Sequence, residues 1–183
     1  MIIYKSDWLY LRSVGFSFLT SKLPGKAAGE DHELGMALLM IEKKIYYSDE
    51  LKFKHYMPAS RIQWTSLQRN FETFGYVSYY NFLYRISLEA LENNSELTHR
   101  LVIRKFRKMF WHAVKGFTLK QHIAYWLLPK KEYYQLRMRQ YKALYKTFRE
   151  LNRNAFNDIA FLQSWMAPLI KNHPGSFKFP EAY

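Results

Sequence analysis

A chain of 183 residues, 49% apolar and 19% aromatic, can bury a core, which excludes a disordered polymer. It has no cysteine, which excludes disulfides, thiolate metal sites and thiol nucleophiles. Of its net charge of +13, residues 1–60 contribute almost nothing, with eight Lys/Arg against seven Asp/Glu, while residues 61–183 carry twenty against eight.

A near-neutral first third thus precedes a basic remainder suited to a polyanion, an anionic membrane, acidic substrates or plain water. The opening MIIYKSDWLYLRS has charges too early and too often for a secretory signal. No run of about 18 apolar residues occurs, so no membrane-spanning helix is expected. In the first third, residues 20–29 read as a loop punctuated by Pro24, Gly25 and Gly29. Leu34, Ala37, Leu38 and Ile41 then repeat at helical spacing. Asp31 stands in a cap or first-turn position, and Lys43 and Lys44 suit the carboxyl end of the helix dipole. Two short strands are predicted next, Ile45–Tyr47 and Leu51–His55, with Ser48–Glu50 as the turn and Pro58 as the stop. From residue 62 the pattern is helical: 62–92 with a break or bend near Gly75, then 96–114, 119–128, 130–151 and 157–171. Pro129 separates two of these helices and Pro168 disturbs the last. A boundary near residue 60 divides the chain into 1–60 and 61–183.

The chemistry is concentrated between Gly29 and Trp64. Glu30, Asp31 and Glu33 crowd three carboxylates at a helix start, where the dipole favours them. They suit either a helix cap with solvated neighbours or a general base facing a metal. His55, at a predicted strand end, suits a structural role or a ligand to a divalent ion or phosphate oxygen. Arg61 suits open surface or bidentate contact with a diphosphate.

Taken in order, these residues resemble the C-terminal part of the catalytic domain of bacterial family 2 glycosyltransferases, of GT-A type. The matching elements are Gly29-Glu30-Asp31-His32-Glu33-Leu34, then Lys44-Ile45-Tyr46-Tyr47, then Phe53-Lys54-His55-Tyr56-Met57-Pro58, Arg61 and Trp64. Residues 2–19, with Lys5-Ser6, Trp8, Leu11 and Gly15-Phe16, resemble the family's preceding segment. The resemblance covers residues 2–70 and implies an α/β fold followed by a mainly helical extension. It implies inverting transfer from a nucleotide-sugar donor to a hydroxyl on a glycan or lipid-linked acceptor, in cell-surface polysaccharide or glycoconjugate synthesis. Asp31 is then the catalytic base. Glu30 and Glu33 shape the acceptor side, His55 lies near the metal and diphosphate, and Arg61 and Trp64 belong to a loop over the donor. The implied cofactor is Mg²⁺ or Mn²⁺. The family's nucleotide-binding half and its Asp-x-Asp metal motif have no counterpart: Asp7, Asp31, Asp49 and Asp158 stand apart from one another. The chain is therefore expected to be the C-terminal portion of such an enzyme, inactive alone, with apolar surface exposed where its sheet is incomplete.

In the basic remainder, Arg100, Arg104, Lys105, Arg107, Lys108 and Lys115 are interleaved with Phe106, Met109, Phe110 and Trp111. Ile123–Leu128 and Pro129-Lys130-Lys131 follow. These patterns fit helices on an anionic membrane, with Trp111, Tyr125 and Trp126 as anchors. They also fit a packed core beneath a solvated cationic face; single-stranded nucleic acid fits least, since no nucleic-acid motif is present. Tyr133, Tyr134, Leu136, Tyr141, Leu144, Tyr145 and Phe148 approximate one helical face. His99, His112, His122 and His173 form no metal-ligand pair, and the seven glycines form no phosphate loop. The class alternative to a transferase is a non-catalytic basic helical protein that binds membrane or nucleic acid. The expected location is the cytoplasm, at the inner face of the membrane.

Overall fold

The structure is a computed structural model, which describes residues 3–22, 29–46, 50, 52, 54, 56–115, 123, 131–151 and 154–172. Six α-helices form among them: α1 Lys5–Ser13, α2 Glu30–Met40, α3 Trp64–Glu92, α4 His99–Lys115, α5 Lys131–Leu151 and α6 Ala155–Asn172. Two short 3₁₀ turns, Thr20–Lys22 and Ala59–Arg61, also lie among the described residues.

The expectation of an α/β fold is overturned: no strand or sheet forms among the described residues. Ile45 and Tyr46, from the first predicted strand, are irregular and exposed. The physical reason is the lack of a neighbour. An extended segment gains little until its backbone groups pair with adjacent strands and its side chains are covered. Most of the second predicted strand, including His55, lies outside the described residues, and Lys52 and Lys54 are irregular.

Helix ends are set by local chemistry. After α1, Gly15 takes φ 91°, the Phe16 amide donates to Leu11 O at 3.0 Å, and the Gly15 amide donates to Arg12 O at 3.1 Å. This pair of hydrogen bonds around a left-handed residue satisfies two of the last carbonyls of the helix. Asn94 does the same after α3 with φ 45°, the Ser95 amide reaching Ala90 O at 2.8 Å. Thr98 starts α4, its hydroxyl accepting from the Leu101 amide at 3.3 Å.

The helices form two compact units that are discontinuous in sequence. One comprises residues 1–55, 83–95 and 154–183. Its core joins Leu11, Phe16, Met36 and Leu38 to Tyr84, Leu162 and the fully buried Trp165. Phe16 meets Trp165 edge-on at 5.1 Å, and Tyr84 meets the same indole at 6.1 Å. Asp7 pairs with Lys43 at 3.1 Å.

The other unit comprises residues 56–82 and 96–153, so α3 supplies its first part here and its last turns to the first unit. Phe106 of α4 stacks on Phe148 of α5 at 3.6 Å with the rings parallel, and Phe82 of α3 meets Phe106 edge-on at 5.4 Å. Helix α3 runs unbroken through Gly75, so no break occurs there, and the glycine sits in a close packing contact. Similarly, Pro168 lies within α6 without ending it. The predicted helix 119–128 lies outside the described residues except for Ile123, as do Tyr125 and Trp126. No helix among the described residues is long and apolar enough to cross a membrane.

Candidate functional site

Gly29 precedes α2 with φ 99°, a conformation that favours glycine. Its carbonyl accepts from the His32 and Glu33 amides at 3.0 and 2.9 Å, which opens the helix. Glu30, Asp31 and Glu33 therefore fall in the first turn of α2, where their negative charge meets the positive end of the helix dipole. Their surroundings differ. Glu30 and Asp31 are exposed, whereas Glu33 is 1% exposed.

The buried Glu33 carboxylate is fully engaged. Oε2 accepts from the Leu19 amide at 2.7 Å and from the Tyr84 hydroxyl at 2.5 Å. Oε1 accepts from the Thr20 amide at 2.9 Å and from the Thr20 hydroxyl. Four donors thus replace the water that a buried carboxylate would otherwise lack. Two of them are consecutive backbone amides at the start of the Thr20–Lys22 turn. The carboxylate consequently ties that turn, the start of α2 and the end of α3 into one unit.

Glu33 was expected on the acceptor side of a site; the structure places it in the core as a structural anchor. Tyr84 is the partner that sequence reasoning missed. Its hydroxyl is pushed above the ordinary tyrosine value of 10.0, chiefly by burial, then by the Glu33 charge and the hydrogen bond it gives. The folded protein keeps the Tyr84 proton above pH 10, while the unfolded chain releases it. Stability associated with Tyr84 is therefore complete below about pH 10 and falls above it by about 1.4 kcal/mol per pH unit. Urea midpoints measured from pH 8 upward should decline less steeply in Tyr84→Phe than in the parent. Equal slopes would show that the phenol ionises freely in the fold.

Arg61 ends the second 3₁₀ turn, its amide donating to Pro58 O at 2.8 Å, and its side chain is exposed. Trp64 begins α3 and is also exposed. The structure thus gathers Glu30, Asp31 and Glu33 in one helical turn, and Arg61 with Trp64 at a second junction. The two groups belong to different compact units. His55 lies outside the described residues. A divalent cation of this class needs several oxygen ligands around one point. Among the described residues no group of three or more His, Asp or Glu side chains is placed to hold a metal ion.

No protein-family model, curated protein or solved structure matches the chain.

Proposed function

We propose that the chain supplies the catalytic base of a sugar transfer, as part of a family 2-like glycosyltransferase. The observation that carries the reading is the division of labour within the first turn of α2. Glu33 locks the turn from inside, and Asp31, two residues earlier, presents its carboxylate to solvent. A base needs this combination of a fixed backbone and a reachable oxygen. In the reaction, Asp31 takes the proton of an acceptor hydroxyl as that oxygen attacks the anomeric carbon. The bond from that carbon to the diphosphate breaks, and the nucleoside diphosphate leaves with its electron pair.

Further support comes from the segment after α2. Ile45 and Tyr46 are both exposed, although folded chains usually cover large apolar groups. In this reading they border the part of the enzyme that holds the nucleotide. The sequence contains no Asp-x-Asp, so metal and nucleotide binding are assigned to a region beyond these residues. The activity belongs in the cytoplasm, with glycan or lipid-linked acceptors.

The test is a transfer assay on the longest protein whose reading frame includes this chain, obtained by translating the adjoining DNA. Asp31→Asn should lower turnover by about 10³-fold with unchanged helicity and melting temperature. The 183-residue chain alone should release no nucleoside diphosphate from nucleotide sugars. Transfer that survives Asp31→Asn would reject the assignment. An adjoining sequence without an open frame would favour a non-catalytic binding protein instead.

A further inference from the structure

Helix α4 contains no acidic residue. Its buried side is apolar, centred on Val102 and Phe106. Its outer side is cationic. At 3.6 residues per turn, Arg100, Arg104, Arg107, Lys108 and Lys115 fall within about 100° of arc. All five are exposed, and none pairs with an acidic group among the described residues. Trp111 lies in the middle of this arc and is 61% exposed. Arg107 and Lys115 stand one turn before and one turn after it. An indole left in water amid cations, on a helix that buries its other face, calls for a specific account.

The neighbouring helix extends the surface. Phe106 meets Phe148, Phe110 meets Tyr145, and the Tyr141 hydroxyl donates to Ala113 O. Residue numbers rise along α4 as they fall along α5, so the two helices are antiparallel. Right-handed helices in antiparallel contact turn the same way out of their common seam. Following α4 outward past Phe110 leads to Arg107, Arg100 and Trp111. Following α5 outward past the exposed Tyr145 leads to Arg149 and Lys142, also exposed. Both sets open on the same side.

We propose that this α4–α5 surface docks on a bilayer containing anionic phospholipids, with Trp111 entering the headgroup layer. The charge sign and the breadth of the face match a negatively charged plane. One indole between cations suits the headgroup–acyl boundary, where tryptophan is favoured. Single-stranded nucleic acid would instead call for a series of aromatic rings to stack successive bases. The face offers one such ring on α4. The inference does not rest on the sugar-transfer reading, since Asp31 has no part in it.

The test is co-sedimentation of the full chain with phosphatidylcholine vesicles containing about one third phosphatidylglycerol. Binding is expected at about 0.05 M salt and should be lost at about 0.5 M, where charges are screened. The triple variant Arg100→Glu, Arg104→Glu, Arg107→Glu should bind at least about 100-fold more weakly. Trp111→Ala should abolish the blue shift of emission that vesicles induce. A control with Lys5→Glu, Lys44→Glu and Lys171→Glu has the same net charge and should keep most of the affinity. Equal binding to pure phosphatidylcholine, or equal loss in the control, would overturn the proposal. So would tighter binding of a single-stranded oligonucleotide that the α4 triple variant abolishes.

Discussion

Replacing Glu33 by Ala should cost about 4 kcal/mol of folding stability, the largest loss expected from any single polar side chain here. The substitution strands the Leu19 and Thr20 amides, the Thr20 hydroxyl and the Tyr84 hydroxyl, all inside the protein. A buried backbone amide without an acceptor costs about 1–3 kcal/mol, and two of these donors are backbone amides. Removing the buried charge returns part of that, because the carboxylate no longer has to be desolvated. Glu33→Gln keeps the volume and one acceptor oxygen but directs an amide N–H₂ at donors. It should fall between the parent and Glu33→Ala. Urea unfolding at neutral pH measures both. The melting temperature should drop by about 10 °C for Glu33→Ala. A loss below about 1 kcal/mol would mean that the Thr20–Lys22 turn does not depend on this carboxylate.

The same result bears on function. If Glu33 held an acceptor sugar, its removal would impair binding and leave the fold intact. If it anchors the turn that carries Asp31, stability falls first. Asp31→Asn, on exposed surface, should leave stability within about 0.5 kcal/mol of the parent. The pair of variants therefore separates the anchor from the reactive group.

How much of this was legible in the sequence follows from which forces are local. Helix α2 was, because Leu34, Ala37, Leu38 and Ile41 form one stripe, of which Leu34 is half-buried and the other three are buried. Helices α4 and α5 were legible for the same reason, with aromatic and cationic positions separating by period except at Trp111. The burial of Glu33 was legible in principle. It lies four residues before Ala37 and seven before Met40, on the side of α2 that faces the core, and a carboxylate there needs donors. What no local pattern could supply was their identity, since Tyr84 is 51 residues away. A tyrosine among Phe82, Leu83 and Ile86 signals only that its hydroxyl seeks a partner. The strands failed for a complementary reason. Ile45-Tyr46-Tyr47 has the right residues for a strand, but a strand is a property of pairs, and no neighbour pairs with the described part of it.

Gly75 offers the sharpest contrast between a local and a tertiary explanation. As a helix-interior glycine it suggests a bend, and on that basis Gly75→Ala should stabilise α3 by up to about 1 kcal/mol. The packing predicts the opposite sign. A Cβ at position 75 would lie 2.3 Å from Gln140 O, 2.7 Å from Ala143 Cβ and 2.9 Å from Leu144 N. Two of these are backbone atoms of α5, so no rotamer change can relieve them. The helices must separate, which loosens the contact of Tyr79 with Phe148 at 6.4 Å and the Phe106–Phe148 stack beyond it. Gly75→Ala should therefore destabilise by about 3 kcal/mol, overpacking outweighing helix propensity. Adding Ala143→Gly removes only the side-chain clash and leaves Gln140 O in place. The double variant should recover less than half of the loss measured for Gly75→Ala, after subtracting the cost of Ala143→Gly alone. Full recovery would locate the constraint in the Ala143 methyl and not in the approach of the two backbones. A stabilised Gly75→Ala would restore the bend as the reason for the glycine. The expected outcome instead makes Gly75 the point where α3 and α5 touch backbone to backbone, which holds α5 against α3.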